Sequence, residues 1–371
     1  MTTHLTDRPM SYFHDRFGRL PKVTATAPGR LALLGEHTED PGGLALSLAL
    51  PHHTTVELSP GHDDLIVVTS LRGDAQADTY RYRTAEERRQ GTWADYVQGV
   101  THVLRKAGQR IHGFQALISS SIPSGSGFAS STALVVSLLR ALRQGFGLDL
   151  DDVTIAKLGQ QAEQAFAGAP MGVQDPLAVS LGRPDAVLYA DSRDLACHHV
   201  ALPGSVDVIV LHAGVVARHA AVHFAARHQD VEQAAAALGV AQLRELGPDD
   251  LPRLAPLPEA LARRARHVIT ENDRVQAAAK ALAQGNLASV GRLLHESQRS
   301  LRDDYQITGP EIDLLADLLR FEPAVYGARL TGGGPGIMAL VESGRGGVVA
   351  KKIARRYAEQ SGRQPTIVLP Q

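Results

Sequence analysis

Cysteine is almost missing from this chain. Cys197 stands alone among 371 residues, which excludes an internal disulfide and fits a reducing compartment. Lysine is scarce too, six against 32 arginines, a bias we read as one of coding rather than chemistry. Charge of either sign is not in excess: 38 basic and 39 acidic residues leave a net charge of −1. The chain therefore offers no basic surface for a nucleic-acid backbone. No run approaches the ~18 consecutive apolar residues of a membrane helix. Met1 to Met10, polar and containing Asp7, Arg8 and Pro9, lacks the apolar stretch of a secretory signal. Internal repeats are missing, as are low-complexity tracts beyond Ala-rich helical segments. These absences lead us to expect a soluble, cytoplasmic monomer or weak dimer, with neither nucleic acid nor membrane as partner. The length accommodates two domains with cores of their own.

What is present centres on Ser121-Ile-Pro-Ser-Gly-Ser-Gly-Phe-Ala-Ser-Ser-Thr132. Ile111 to Ser120 alternates apolar and polar residues and reads as a strand. Ala133 to Phe146 is apolar at helical spacing and reads as a buried helix with a glycine stop at Gly145 and Gly147. A glycine- and serine-rich loop thus joins a strand to a helix N-terminus. Gly125 and Gly127 permit positive φ, and Ser130, Ser131 and Thr132 place hydroxyls beside the free N–H groups of the first turn. Phosphate is well served there. An ordinary turn with a Ser/Thr cap would look similar. The loop is not a Walker A loop, because no Lys precedes the hydroxyls. Nor is it a dinucleotide fingerprint, because Ser130 takes the third glycine position and no βαβ unit opens the chain.

The loop does resemble the phosphate loop of the GHMP small-molecule kinases, Pro-x-Gly-x-Gly-Leu-x-Ser-Ser-Ala, with Phe128 in place of Leu and Thr132 in place of Ala. Four further stretches are similar to galactokinases within that family. Pro28-Gly-Arg-Leu-Ala-Leu-Leu-Gly-Glu-His-Thr38 resembles the sugar loop, and departs from it at Glu39 and Asp40, where the family has Asp and Tyr. Gln160-Gln-Ala-Glu-Gln-Ala-Phe-Ala-Gly-Ala-Pro-Met-Gly-Val-Gln-Asp175 resembles the passage that carries a metal-binding Glu and a catalytic Asp, with Gln174 and Pro176 departing. Glu296-Ser-Gln-Arg-Ser-Leu-Arg-Asp-Asp-Tyr305 matches nearly word for word, with Gln298 for His. Ala328-Arg-Leu-Thr-Gly-Gly-Gly-Pro-Gly-Ile-Met338 resembles the third glycine motif.

The resemblance implies an α+β fold of two domains, the first ribosomal-protein-S5-domain-2-like and the second ferredoxin-like, with the active site between them. A change of texture after Asp191-Ser-Arg-Asp194 sets the expected boundary, 1–194 and 195–371. It further implies transfer of the ATP γ-phosphoryl group to the anomeric hydroxyl of a galactose-like sugar. Asp175 and Arg30 would be catalytic, and Arg30 is expected beside Asp175, neutralising charge that develops in the transition state. Ser131 and Glu163 would hold Mg²⁺. ATP would meet Gly125, Ser126, Gly127, Phe128, Ala129, Ser130 and Ser131, with Gly333 and Gly334 of the third motif, and Trp93 and Tyr96 near the adenine. The sugar would meet Glu36, His37, Thr38, Glu39 and Gly172, with Phe224 where the family has a Tyr.

Bland readings stand beside these. Trp93 and Tyr96 could simply anchor a core helix. Asp175-Pro176 could be a helix N-cap followed by proline. His219, His223 and His228 read as a solvated face of one long helix, without the carboxylate motif of a metal site. Two rival functions remain: a kinase for another sugar, since Glu39, Asp40, Phe224 and Pro176 all depart around the sugar pocket, and a sugar sensor without turnover, against which Arg30, Ser131, Glu163 and Asp175 are all retained.

Overall fold

The computed structural model describes residues 11–38, 42–72, 76–123, 125–168, 172–215, 220–332 and 334–369, with backbone only for 11, 72, 76 and 220–225. The chain divides into two compact units. One comprises Met1–Arg30 and Ala49–Pro184, the other Leu31–Leu48 and Asp185–Gln371. The change of sequence texture after Asp194 thus falls ten residues beyond the structural division, and Leu31–Leu48 joins the second unit although it lies early in the sequence.

In chain order the first unit contains α1 (Ser11–Phe17), most of β1 (Val23–Leu34) and of β2 (Leu44–Pro60), β3 (Leu65–Arg72), β4 (Gln76–Arg83), α2 (Ala94–Lys106), β5 (Phe114–Ser120), α3 (Ser130–Phe146), α4 (Asp152–Ala162) and α5 (Gln174–Leu181). Strand order runs β4-β3-β5-β2, with β1 against β2. Only the β3–β5 pairing is parallel among those within this order. From Leu50 to Leu58, β2 alternates buried and less buried residues, the pattern of a strand with one face on a core. Helix α3 is buried almost all round, through Ala133, Val135, Val136, Leu138, Leu139, Ala141 and Leu142. Burial of each Leu or Val stabilises by roughly 1.5–3 kcal/mol, so the helix behind the glycine loop is held firmly from within.

Helix α4 does not run on as a plain α-helix to Phe166 as its periodicity predicts. It passes at Glu163 into one π-helical turn, Glu163–Ala167, and ends at Gly168 with φ +67°. Such turns insert an extra residue and are frequent at functional sites. Asp175 is also not the N-cap its Asp-Pro sequence suggests. Val173 holds that position, and Asp175 lies inside the first turn of α5 with its carboxylate engaged elsewhere.

The second unit contains β6 (Ala186–Asp191), β7 (Cys197–Ala201), β8 (Val206–His212), α6 (Ala220–Leu238), α7 (Glu259–Ala283), α8 (Leu287–Ser300) with a π turn Leu301–Tyr305, α9 (Pro310–Arg320), β9 (Val325–Thr331), β10 (Gly336–Glu342), α10 (Gly346–Ser361) and β11 (Thr366–Leu369). Here β6 pairs with Leu44–Leu48 of β2 and with β7. A separate antiparallel sheet has the order β11-β8-β10-β9. Its middle strand β10 is buried from Ile337 to Val341 on both faces, as a continuous apolar run should be. Among the described residues, no helix is long and apolar enough to cross a membrane.

Helix α8 lies almost on top of β9, and glycines make that possible. A Cβ at Gly291 would come within 1.8 Å of the Tyr326 carbonyl oxygen, and one at Gly327 within 2.3 Å of the Gly291 carbonyl oxygen. Gly291→Ala should therefore cost about 1–3 kcal/mol or more, since backbone cannot step aside as a side chain can. Gly347→Ala, whose Cβ would meet nothing within 4 Å, should be neutral or slightly stabilising. Urea midpoints of the two variants test this, and equal midpoints would show that α8 can shift off the strand at little cost.

Candidate active site

The glycine loop is shaped by its own backbone. Gly125 and Gly127 have φ +69° and +75°, and Ala129, which has a Cβ, is held at φ +56° as the N-cap of α3. A non-glycine residue there is strained. The conformation is held by its neighbours. Ser126 Oγ donates to the Pro123 carbonyl at 2.7 Å, and the Phe128 ring is buried. The Phe128 carbonyl accepts from the Arg30 backbone N–H at 3.0 Å. Gly29 lets β1 come this close, for its Cβ would stand 3.0 Å from the same carbonyl oxygen. The first turn of α3, Ser130 to Thr132, follows directly, with its free N–H groups and the positive end of the dipole.

Arg30 is the hub. Its Nε and Nη2 donate to Asp175 Oδ1 and Oδ2, both at 2.5 Å, and its Nη1 donates to the Gly127 carbonyl at 2.8 Å. The guanidinium is 9% exposed and the carboxylate 26%. A planar fork on a carboxylate fixes that carboxylate in position and plane. One buried side chain therefore ties the carboxylate of α5 to the glycine loop. The expected meeting of Arg30 and Asp175 is present.

Glu163 is fully buried at the start of the π turn. Its Oε2 accepts from Thr132 Oγ1 at 3.0 Å. Its Oε1 makes no hydrogen bond of ordinary geometry, although Ser131 is near enough to favour the charged form. Burial pushes the carboxyl up to about 7, and the charge of Asp175 adds to this, while the hydroxyls of Ser131 and Thr132 and the charge of Arg30 pull the other way. A buried acid oxygen without a partner, beside a serine hydroxyl at a phosphate loop, suits a hard cation with few protein ligands. Ser131 and Glu163 thus fit Mg²⁺. Among the described residues no cluster of three or more His, Cys, Asp or Glu could hold a metal, and Mg²⁺ at nucleotide phosphates does not need one.

The aromatic pair on α2 separates. Trp93 Nε1 donates to Asp78 Oδ2 at 2.7 Å. The Tyr96 hydroxyl meets Ser131, with Glu163 in electrostatic range. Tyr96 therefore stands beside Ser131 and Glu163.

The sugar-loop residues belong to the second unit. Glu36 pairs with the fully buried Arg329 of β9, which also donates to the Leu33 carbonyl at 3.0 Å. His37 has φ +63° and stacks on Tyr305, ring centroids 4.5 Å apart and planes 11° apart. Thr38 Oγ1 lies 2.9 Å from the carbonyls of both Gly35 and Leu44, bracing the turn. Glu39 and Asp40 lie outside the described residues, as does Gly333. Gly334 lies just past the end of β9, and Gly172 just ahead of α5. Phe224 falls on α6, with its side chain outside the description. Arg227, three residues on, donates to the Tyr305 carbonyl at 2.8 Å. On the same helix His228 pairs with Glu232 at 3.5 Å. His219 lies outside the described residues, and His223 has backbone only.

Sequence reasoning missed a buried polar face on α7. Glu271 accepts from the Gly35 N–H at 3.0 Å, from Ser297 at 2.9 Å and from Arg274 at 2.7 Å. His267 lies between Ser300 Oγ at 3.0 Å and the Glu36 carbonyl at 3.2 Å. Burial would raise Glu271, but Arg274, Arg329 and His267 bring it down to about 2. The spacing 264, 267, 271, 274 puts Arg, His, Glu and Arg on one helical face, and that periodicity was the available signal.

Models of three families match the chain: GHMP kinases N terminal domain over residues 95–183, GHMP kinases C terminal over 278–359, and the galactokinase galactose-binding signature over 11–60. Galactokinase of Roseiflexus sp. (strain RS-1) is 36% identical over 363 residues, covering 96% of this chain and 92% of that protein. Galactokinase of Mycobacterium tuberculosis (strain ATCC 25618 / H37Rv) is 38% identical over 351 residues, covering 93% and 96%. Among solved structures, Lactococcus lactis galactokinase complexed with galactose superposes with a TM-score of 0.89 at 28% identity, covering 96% of this chain and 95% of that one. Methanococcus jannaschii mevalonate kinase shares the fold, with a TM-score of 0.64 at 18% identity over 93% and 96% of the two chains. Fold, glycine loop and relatives define a phosphotransferase of the GHMP class with an alcohol group as acceptor. Within that class, the chain belongs to the galactokinase family.

Two buried imidazoles make stability depend on pH. Burial pushes His37 down to about 3 and His267 down to about 4, whereas both take up protons near pH 6.5 when unfolded. The neutral forms are the folded ones. Their stabilisation is therefore complete above about pH 6.5 and is lost as pH falls toward the folded values. Denaturation midpoints should drop between about pH 6.5 and 4, and His267→Gln should reduce the slope. An unchanged slope would mean that His267 does not govern the loss.

Proposed function

We propose that this chain transfers the γ-phosphoryl group of ATP to the anomeric hydroxyl of galactose, with Mg²⁺ as the metal, in the cytoplasm. The bidentate Arg30–Asp175 pair tied to the glycine loop carries the reading, because it fixes a carboxylate beside a phosphate-binding helix terminus. The lone cysteine suits that compartment, and the galactokinase relatives support the sugar.

Phosphoryl transfer passes through a loose transition state, so positioning and charge neutralisation do most of the work. Loop N–H groups and the α3 N-terminus hold the phosphates. Asp175, held by Arg30, orients the sugar hydroxyl and accepts its proton late in the transfer. A weak base is enough, since the leaving group departs before much nucleophile bonding is needed. Arg30 remains between the carboxylate and the loop and neutralises charge as it grows. Ser131 and Glu163 would hold Mg²⁺, which when bound neutralises the phosphate oxygens. Glu36, His37, Thr38, Glu39 and Gly172 would meet the sugar.

Asp175→Asn keeps the shape and removes the base. It should retain the fold and ATP binding and lose at least about 100-fold in kcat. Parent-level turnover in a folded variant would leave Asp175 a structural partner of Arg30 only.

The pocket departs from the family motif at Glu39, one methylene longer than Asp, and at Phe224, which lacks a hydroxyl. A pocket missing a polar partner discriminates less between sugars. In a panel of hexoses with ATP and Mg²⁺, galactose should be phosphorylated, and Glu39→Asp with Phe224→Tyr should raise kcat/KM for it about tenfold, the worth of one to two hydrogen bonds. High galactose specificity in the parent, with no gain in the double variant, would show that other residues supply those contacts.

A further inference from the structure

The hydroxyl of Thr132 has no part in the mechanism above, yet it is placed where it must matter. Thr132 lies in the first turn of α3 and is fully buried. Its Oγ1 donates to Glu163 Oε2 at 3.0 Å, across 31 positions of sequence. The motif that the loop resembles has Ala here, which has no hydroxyl.

A carboxylate has two equivalent oxygens and turns about its last bond. In Glu163 that equivalence is broken: Oε2 takes the Thr132 proton, and Oε1 is left without an ordinary hydrogen bond. The Thr side chain is itself restricted at χ1 by its branched Cβ and by complete burial. It therefore sets the plane of the carboxylate and selects the oxygen that stays open. We propose that Thr132 is a positioning residue for the metal, its hydroxyl holding the Glu163 carboxylate so that Oε1 is presented to the Mg²⁺ of the bound nucleotide. The proposal rests on the reading that Ser131 and Glu163 hold that ion.

The hydroxyl fixes which oxygen of the carboxylate is occupied and which stays open. Partners of metal ligands elsewhere contribute about 10–100-fold to metal affinity.

Calorimetry with ADP as the probe separates the metal from the nucleotide. Each protein is titrated with ADP in excess Mg²⁺ and again with ADP in EDTA. Thr132→Ala should weaken binding about tenfold in Mg²⁺ and leave binding in EDTA unchanged. Thr132→Ser, which restores the hydroxyl without the methyl, should stay within about threefold of the parent in both. The proposal is overturned if Thr132→Ala binds as the parent does in Mg²⁺, if Thr132→Ser is as weak as Thr132→Ala, or if Thr132→Ala weakens both titrations equally. Glu163→Gln is the control for the underlying reading and should lose the Mg²⁺ advantage. Were it kept in full, the assignment of Glu163 to the metal would fail, and with it the role of Thr132. Loss in Glu163→Gln with none in Thr132→Ala would sink the Thr132 proposal alone.

Discussion

The first unit depends on one buried guanidinium. Arg30 holds both oxygens of Asp175 and the carbonyl of Gly127, and its own N–H holds the carbonyl of Phe128. Burying a cation costs several kcal/mol unless its donors are met, and here they are met by a carboxylate and by the Gly127 carbonyl. The dependence runs both ways. Without the Arg30 side chain the carboxylate of Asp175 would have no fixed plane, and the Gly127 carbonyl of a strained loop would lose its donor. The glycine loop is thus held in shape by the same group that sets the Asp175 carboxylate, and the two need no separate means of alignment.

Around this hub the helices serve to deliver acids at chosen depths. Glu163 opens the π turn after Ala162 and is fully buried next to the start of α3. Gly99 of α2 lets that helix approach, since a Cβ there would come within 2.7 Å of the Ala162 carbonyl. Asp175 is brought in differently, from the first turn of a short helix and near the surface. One carboxyl is thereby pushed up to about 7 while the other keeps a guanidinium partner.

Much of this was legible from residue patterns. The strand, glycine loop and helix around Ser121 to Thr132 could be read from alternation, glycine and helical spacing. The order of motifs indicated the family, and the Arg30–Asp175 meeting followed from matching motifs 145 residues apart. Local rules failed where tertiary contacts outweighed them. Asp175-Pro176 has the sequence of a cap, but the pull of Arg30 outweighs a cap worth about 1 kcal/mol. The apolar pattern Asp152 to Phe166 does not reveal the π turn, because the turn begins only at Glu163, where little of the pattern remains to show a shift. The polar face of α7 was written at 264, 267, 271 and 274, but buried and exposed polar faces share the same spacing. Only the partners at Gly35, Glu36 and Ser297 distinguish them, and those come from distant segments.

The two units hold their buried carboxylates differently. In the second, Glu271 accepts three hydrogen bonds and Glu36 is paired with Arg329. Removal of any member of that group would leave a charge uncompensated. The effect of the group is to fix the backbone of the Gly35–Thr38 turn. In the first unit Glu163 is left half satisfied at a loop whose Ala129 is strained. Both features cost stability in the protein alone. Strain of this kind persists where the surroundings over-determine it, and α3, buried on nearly every side, supplies that rigidity. On the function proposed above, the apolar core would thereby let the site keep an acid oxygen unsatisfied until a nucleotide and its cation arrive.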